Sequence, residues 1–412
     1  MMDARLLVDG EWVATAQTAK IANPYTGQVV GHAAQATASE MDRAIAAARR
    51  CFAESSRWPR HRRSQLLASI AGGLRQNRED LARLIVAEAG KPYQYAIGEV
   101  DRAISTFTFA SEEAKRLSGE TPPLDAAPAG EGYVAMTARV PVGPVAAISP
   151  FNFPLNLVAH KVAPALAVGA TVVLKPPPQA PLTSLRLGQL IQEAGAPPGL
   201  INILPCPVEV AGQLVADERI GMLSFTGSAR VGWMLKSQAG KKRVLLELGG
   251  NAATIVHEDA DLEWAAKRAA ISAFAYAGQV CISTQRLFIH QPVYDRFLER
   301  FTAVAKQLPV GDPADPQTVV GPMIDQAAAD RVESWVKEAV TQGATTILAG
   351  ARRGNLLSPV ILGHVDPRMK VSCEEVFGPV VIVAPYASFE EAVAMANASA
   401  YGLQAGVFTQ GI

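Results

Sequence analysis

Between residues 145 and 246 short apolar runs alternate with segments of helix length, and that alternation leaves few folds open. Val145 to Ile148, Thr171 to Leu174, Ile201 to Leu204, Met222 to Phe225 and Val244 to Leu246 are of strand length and rich in Val, Ile and Leu. Pro154 to Leu166, Ser184 to Gly195 and Val231 to Gln238 fall between them as helices. Such an order predicts an α/β chain with a doubly wound parallel sheet, whose ligands bind beyond the carboxyl ends of its strands.

The flanking regions read differently. Residues 5 to 35 combine strands with the breakers Gly10, Asn23-Pro24 and Gly27, and helices then follow at Ser39 to Phe52, His61 to Gln76, Arg78 to Ala89 and Ala96 to Leu117. The Pro- and Gly-punctuated stretch 121–142 predicts a projecting β-hairpin, whose edges a neighbouring subunit would cover. Beyond residue 247 come helices at Asp295 to Leu308, Gln326 to Gly343 and Ser388 to Asn397, with strands at Thr346 to Leu348, Val360-Ile361 and Ala405 to Thr409.

A chain of 412 residues exceeds what one core usually supports. Lys plus Arg and Asp plus Glu number 38 each, so there is no overall electrostatic footprint for nucleic acid or an anionic membrane. Without a basic, apolar leader at Met1 to Val13 or a long apolar run, the sequence reads as cytoplasmic, with no membrane partner. Cysteines 51, 206, 281 and 373 form no C-x-x-C pair and read as reduced. Six scattered histidines give no readable metal site. Difficult chemistry must then come from an organic cofactor or from a thiol.

One thiol stands out. Glu247 closes the run Val244 to Leu246 just before Gly249 and Gly250, and a second apolar run, Ala252 to Val256, follows. Asp259 or Asp261 can cap an alanine-rich helix that should end near Gly278, and Cys281 lies just past it. Carboxylate and thiol could thus face each other across a pocket. Asn152, in the Pro150–Pro154 segment after the first strand, can aim an amide N–H into the same cleft, as an oxyanion on an attacked carbonyl requires. Phe225-Thr226-Gly227-Ser228 with Gly232 is a strand, a glycine turn and a helix start, an arrangement that frees backbone N–H groups for a diphosphate, though it matches neither G-x-G-x-x-G nor a Walker loop. Lys175, at the end of its strand, could reach a ribose or phosphate.

PFNFP at 150–154, LKP at 174–176, FTGS at 225–228, LELGGN at 246–251, GQVC at 278–281 and EEVFGP at 374–379 occur in this order over nearly the whole chain, and together they resemble the aldehyde dehydrogenase superfamily. The resemblance implies an NAD(P)-binding domain from 1–120 and 143–246, an oligomerisation hairpin at 121–142 and a catalytic domain at 247–412. It implies Cys281 as nucleophile, Glu247 as general base and Asn152 with the Cys281 N–H as oxyanion hole. Pro150, Phe151, Lys175, Gly227, Ser228, Gly232, Leu248, Glu375 and Phe377 would hold the cofactor. Glu247 suits the hydrolytic step if burial keeps its pKa near working pH.

Two departures carry further expectations. A glutamate that often binds the ribose 2′-hydroxyl is replaced by Pro178, so NADP is expected to be accepted along with NAD. Family members usually continue past the Tyr401 to Thr409 segment, and a polypeptide ending at Ile412 is expected to form a homodimer or homotetramer poorly and to lose activity. If Pro154 opens a helix, Asn152, Asn156 and His160 share its cleft face, and Ile282 and Ser283 flank the thiol. These point to a small polar aldehyde substrate. The rival readings are a coenzyme A-acylating member, a dehydrogenase without a covalent intermediate, and a truncated, non-catalytic homologue.

Overall fold

The computed structural model describes residues 2–411. Its largest sheet has seven strands in the order Arg243–Glu247, Met222–Thr226, Val145–Ile148, Val172–Lys175, Ile201–Ile203, Leu6–Val8, Glu11–Val13. The first five are mutually parallel, and the amino-terminal pair joins antiparallel at the far edge. Alternate residues of one strand feed two different cores. Val145 and Ala147 pack beneath the helices Arg60–Gln76, Tyr93–Arg116, Asn156–Val168 and Leu182–Glu193, while Ala146 and Ile148 pack beneath Ala38–Ser55, Val208–Ala216 and Ala229–Gln238. Burial on both faces is why these strands read as unbroken apolar runs.

A second sheet of six strands runs Thr345–Leu348, Val360–Gly363, Val380–Tyr386, Thr284–His290, Ala252–Val256, Ala405–Phe408, parallel except at its first pair. Its larger core lies under Leu262–Phe274, Tyr294–Gln307 and Gln326–Thr341. Three helix starts follow directly from sequence chemistry. Thr37 and Glu40 form a reciprocal capping box, and the Asp261 and Ser388 side chains accept the N–H groups of Glu263 and Trp264 and of Glu391.

The segment 117–143 departs from the expected hairpin. It is exposed along most of its length and carries two short 3-10 turns, Leu124–Ala126 and Pro128–Gly130, and no strand. Its limbs meet where Thr137 N–H donates to the Glu120 carbonyl and Glu120 N–H to Thr137 Oγ1, both at 2.8 Å. Two limbs with no third strand or helix against them bury too little to hold a ladder. No helix among the described residues is long and apolar enough to cross a membrane.

Candidate active site

A cavity of about 390 Å³ opens where three strands of the first sheet end and loops of the second half of the chain meet them. Pro150, Phe151 and Asn152 enter it after Val145–Ile148, Thr226 to Ser228 after Met222–Thr226, and Leu248 and Gly249 after Arg243–Glu247. Cys281, Arg331, Glu375 and Phe377 close it from the other side. This is the carboxyl-end crevice that open α/β sheets offer to ligands.

The thiol is delivered by a strained turn. Tyr276 and Ala277 both sit at φ 54° and Gly278 at 66°, a run of left-handed residues between the helix end at Phe274 and the loop of Cys281. Strain of this kind persists only where the surroundings over-determine it. Here the buried Gln279 does so: its Nε2 donates to the Tyr276 and Pro322 carbonyls, and its Oε1 accepts from Ile324 N–H. Asn152 Nδ2 donates to the Gln279 carbonyl at 3.0 Å, which ties the asparagine to the cysteine loop. That bond engages one amide hydrogen and leaves the second for a bound group.

Cys281 is half-buried, and burial, with the Glu375 and Glu247 carboxylates nearby, pushes its thiol above the ordinary range. The thiolate is therefore scarce at neutral pH and forms when a proton acceptor or a bound cation assists it. Alkylation of Cys281 by iodoacetamide should accelerate roughly tenfold per pH unit from about pH 6 to 8 without levelling off. A plateau in rate below pH 8, read by peptide mass spectrometry, would contradict a raised thiol.

Several expected residues sit elsewhere than the sequence implied. Glu247 is exposed and outside the cavity lining, because Arg243–Glu247 is the sheet's edge strand and its alternate residues Arg243, Leu245 and Glu247 face solvent. Its charge still acts on Cys281, His160 and Lys161. The helix expected from Pro154 begins at Asn156, since Glu99 Oε1 accepts the N–H groups of Leu155 and Asn156 at 2.8 and 3.0 Å. That later start turns Leu157 into the cavity and leaves Asn156 fully buried with its Oδ1 near Thr106 Oγ1, so Asn156 does not reach a substrate. His160 lies outside the lining with part of its side chain open to solvent, and partial desolvation, with the neighbouring Arg102 and Lys161, lowers its pKa. Ile282 is exposed beside the thiol. The Ser283 hydroxyl donates to the Ser272 and Ala273 carbonyls, which makes it a helix C-terminal cap rather than a substrate contact.

The diphosphate turn is also refined. Gly227 N–H donates to the Glu247 carbonyl and Gly232 N–H to the Ser228 carbonyl, so neither is free for an anion. The free donors are the first-turn N–H groups of the helix Ala229–Gln238, with Ser228 at its N-cap making no side-chain cap. Gly227 instead provides room: a Cβ there would lie 2.6 Å from Phe225 Cζ.

Sequence reasoning missed two cations. Lys161 is buried behind Thr226, with Nζ 2.7 Å from Thr226 Oγ1 and 3.2 Å from Ser224 Oγ, and burial pushes it down to about 8. A lysine within the apolar run NLVAHKVAPALAV was the available signal. Arg331 lines the cavity from the helix Gln326–Thr341, its guanidinium 5.0 Å from the Trp335 ring, and nothing in that amphipathic pattern marked it.

A nicotinamide dinucleotide fits these residues. Glu375, whose Oε1 accepts Gly250 N–H at 3.0 Å, occupies space that any Cβ at Gly249 would fill. Phe377, at φ 47°, meets Phe151 edge to face at 5.9 Å and gives the cavity an apolar wall for a flat ring. Lys175 lies outside this cavity, buried at the end of Val172–Lys175 and without a carboxylate partner among the described residues. Pro178 is exposed and places no acid near it.

With that geometry in place, comparison with known proteins defines the class. The sequence profile of the aldehyde dehydrogenase family matches residues 12–412, and the chain belongs to that family. It is 44% identical over 405 residues to a 3-sulfolactaldehyde dehydrogenase of Priestia aryabhattai, covering 98% of this chain and 84% of that one. The fold matches aldehyde dehydrogenase 21 from Physcomitrella patens, solved in complex with the reaction product succinate, at a TM-score of 0.96 and 40% identity, covering 100% of this chain and 86% of that one. It matches the NADP-dependent glyceraldehyde-3-phosphate dehydrogenase of Bacillus halodurans, complexed with NADP, at 0.96 and 36% identity, covering 100% and 87%. The protein is an NAD(P)-dependent oxidoreductase acting on aldehydes.

Proposed function

We infer that the chain oxidises a small, polar, anion-bearing aldehyde to its carboxylic acid through a covalent intermediate on Cys281. The observation that carries this reading is the meeting of Cys281, Asn152, Glu375 and Phe377 in one cavity. Cys281 Sγ adds to the aldehyde carbon, and the free Asn152 amide hydrogen with the Cys281 N–H receives the oxyanion of the thiohemiacetal. NAD or NADP, when bound, supplies the acceptor for the hydride that leaves this carbon. A thioester on Cys281 remains. Water then adds to it, the C–S bond breaks, and thiol and carboxylate are released. Glu247 is the base of this reading and takes the proton of that water; what supports it is that its carboxylate, exposed at the end of Arg243–Glu247, is near enough to act electrostatically on Cys281.

The polar character of the substrate rests on the approach. Arg102, 5.6 Å from the Phe153 ring and near enough to act on His160, brings a positive charge close to the Asn152 loop, which supports an anionic substrate. The names of the relatives, among them 3-sulfolactaldehyde and aspartate-semialdehyde dehydrogenases, agree with an anionic aldehyde. A cofactor domain (1–120, 143–246) and a catalytic domain (247–412) complete this reading; the two sheets support it, although the edge strand Arg243–Glu247 of the first carries one residue past the boundary. The exposed Tyr133, Val134, Met136 and Val140 of the arm are the surface through which a homodimer or homotetramer would form.

The test is reduced-cofactor formation over an aldehyde panel with both NAD and NADP. Small anionic aldehydes should give the highest kcat/KM, both cofactors should support turnover, and coenzyme A should leave the rate unchanged. A long-chain aldehyde outcompeting the anionic ones, or acceleration by coenzyme A, would overturn this assignment.

A further inference from the structure

The strand that leads away from Cys281 carries a break in its register. Between Ala252–Val256 and Thr284–His290, Ala252 pairs with Thr284 but Ala253 with Arg286, and pairing with Val380–Tyr386 begins only at Arg286. Gln285 is thus an extra residue outside both ladders. Bulges of this kind re-aim a side chain and recur beside active sites. Here the side chain is aimed at the loop that carries Glu375 and Phe377.

Its amide is used from both ends. Gln285 Nε2 donates to the Glu374 carbonyl at 2.7 Å and to the Val371 carbonyl at 3.0 Å, and Oε1 accepts Val376 N–H at 2.9 Å. Gln285 is 6% exposed, so water cannot stand in for these bonds if the amide is removed. Two more side chains grip the same loop. Asn251 Nδ2 donates to the Ser372 carbonyl at 2.6 Å, and Tyr401 Oη accepts Glu375 N–H while donating to Glu374 Oε2, both at 3.3 Å. Phe377 sits at φ 47°, a conformation that costs energy in any residue but glycine and persists where neighbours impose it. Gln285 holds the residue before it.

We propose that Gln285 and Tyr401 are positioning residues, which set Glu375 and Phe377 against the nicotinamide end of the bound cofactor. Neither lines the cavity, so both act through the loop. The inference rests on the reading given above, in which the hydride acceptor lies beside the carbon bound to Cys281. Glu375 and Phe377 share that cavity with the thiol, so the reactive end of the cofactor is the end their loop would touch. Gln285 gave no sequence signal, because only the bulge and the folded loop bring its amide to Val376.

The probes are NADH and NADPH, whose nicotinamide emission rises when the ring is immobilised against an apolar wall, and ADP, which lacks that ring. Each is titrated into the full chain. Gln285→Leu should lose most of the emission gain and weaken the reduced cofactors roughly tenfold, while ADP affinity stays within about twofold of wild type. General damage to the fold would weaken ADP as well. Tyr401→Phe, at a half-buried site, keeps the test open if Gln285→Leu fails to fold, and should weaken the reduced cofactors about threefold with ADP unchanged. Wild-type emission and affinity in these variants would overturn the proposal, and so would equal losses of reduced cofactor and ADP. The double variant Glu375→Ala, Phe377→Leu separates the two levels of the argument. If it binds reduced cofactor with wild-type emission, the reading of the cavity fails and the proposal with it. If it loses that emission while Gln285→Leu and Tyr401→Phe keep it, the proposal alone fails.

Discussion

Cys281→Ala is expected to lower NAD(P)H formation by roughly 10,000-fold or more while leaving cofactor binding intact, since loss of a nucleophile removes the covalent route altogether. No other cysteine can substitute. Burial pushes the thiols of Cys51 and Cys206 to about 11, and Cys373 is exposed at a helix end with its Sγ 3.5 Å from the Arg368 carbonyl. Cofactor affinity should persist because Glu375, Phe377 and the helix N-terminus after Ser228 do not depend on the sulfur. Turnover within about tenfold of wild type would mean that hydride leaves the aldehyde without prior attack by the thiol.

Glu99→Ala is expected to destabilise the fold by about 3–5 kcal/mol, the range for removing one partner of a buried ion pair. Glu99 Oε2 meets Lys91 Nζ at 2.5 Å with both side chains fully buried, and its other oxygen holds the N–H groups of Leu155 and Asn156. Without it an ammonium is stranded in the core, where burial already pushes Lys91 down to about 8. The damage extends to the active site. Lys91 Nζ lies 3.4 Å from the ring centroid of Phe153, next to Asn152, and 4.9 Å from that of Tyr276, in the turn that presents Cys281. Glu99→Gln keeps an acceptor for the backbone and should lose less. Urea unfolding followed by circular dichroism would read the difference, and a loss below about 1 kcal/mol would show that the pair is not a structural anchor.

The limits of sequence reading here have physical causes. The first sheet was legible because its central strands are buried on both faces and therefore continuously apolar. Thr284–His290, an interior strand of the second sheet, was hidden because it begins Thr-Gln-Arg, yet every residue in it is buried. Its polar groups are satisfied only in the folded chain: Gln285 bonds to the Val371 and Glu374 carbonyls, and Arg286 to those of Asn251, Met395 and Ala396. The shifted start of Asn156–Val168 has the same origin, since the side chain that sets it, Glu99, belongs to another helix. Glu247 shows the converse: its position after a strand was readable, but its exposure was not, because strand order decides which strand is the edge. The residues that meet in the cavity, such as Asn152, Ser228, Cys281 and Glu375, were legible because each belongs to one contiguous loop.

The most direct measurement is intact-mass spectrometry of Glu247→Gln, quenched after mixing with aldehyde and NAD(P)+. Slow hydrolysis should let the acyl group accumulate, giving one acyl adduct on Cys281 and a burst of one reduced cofactor per chain. Reduced cofactor forming steadily, with no burst and no mass added to Cys281, would contradict the covalent account.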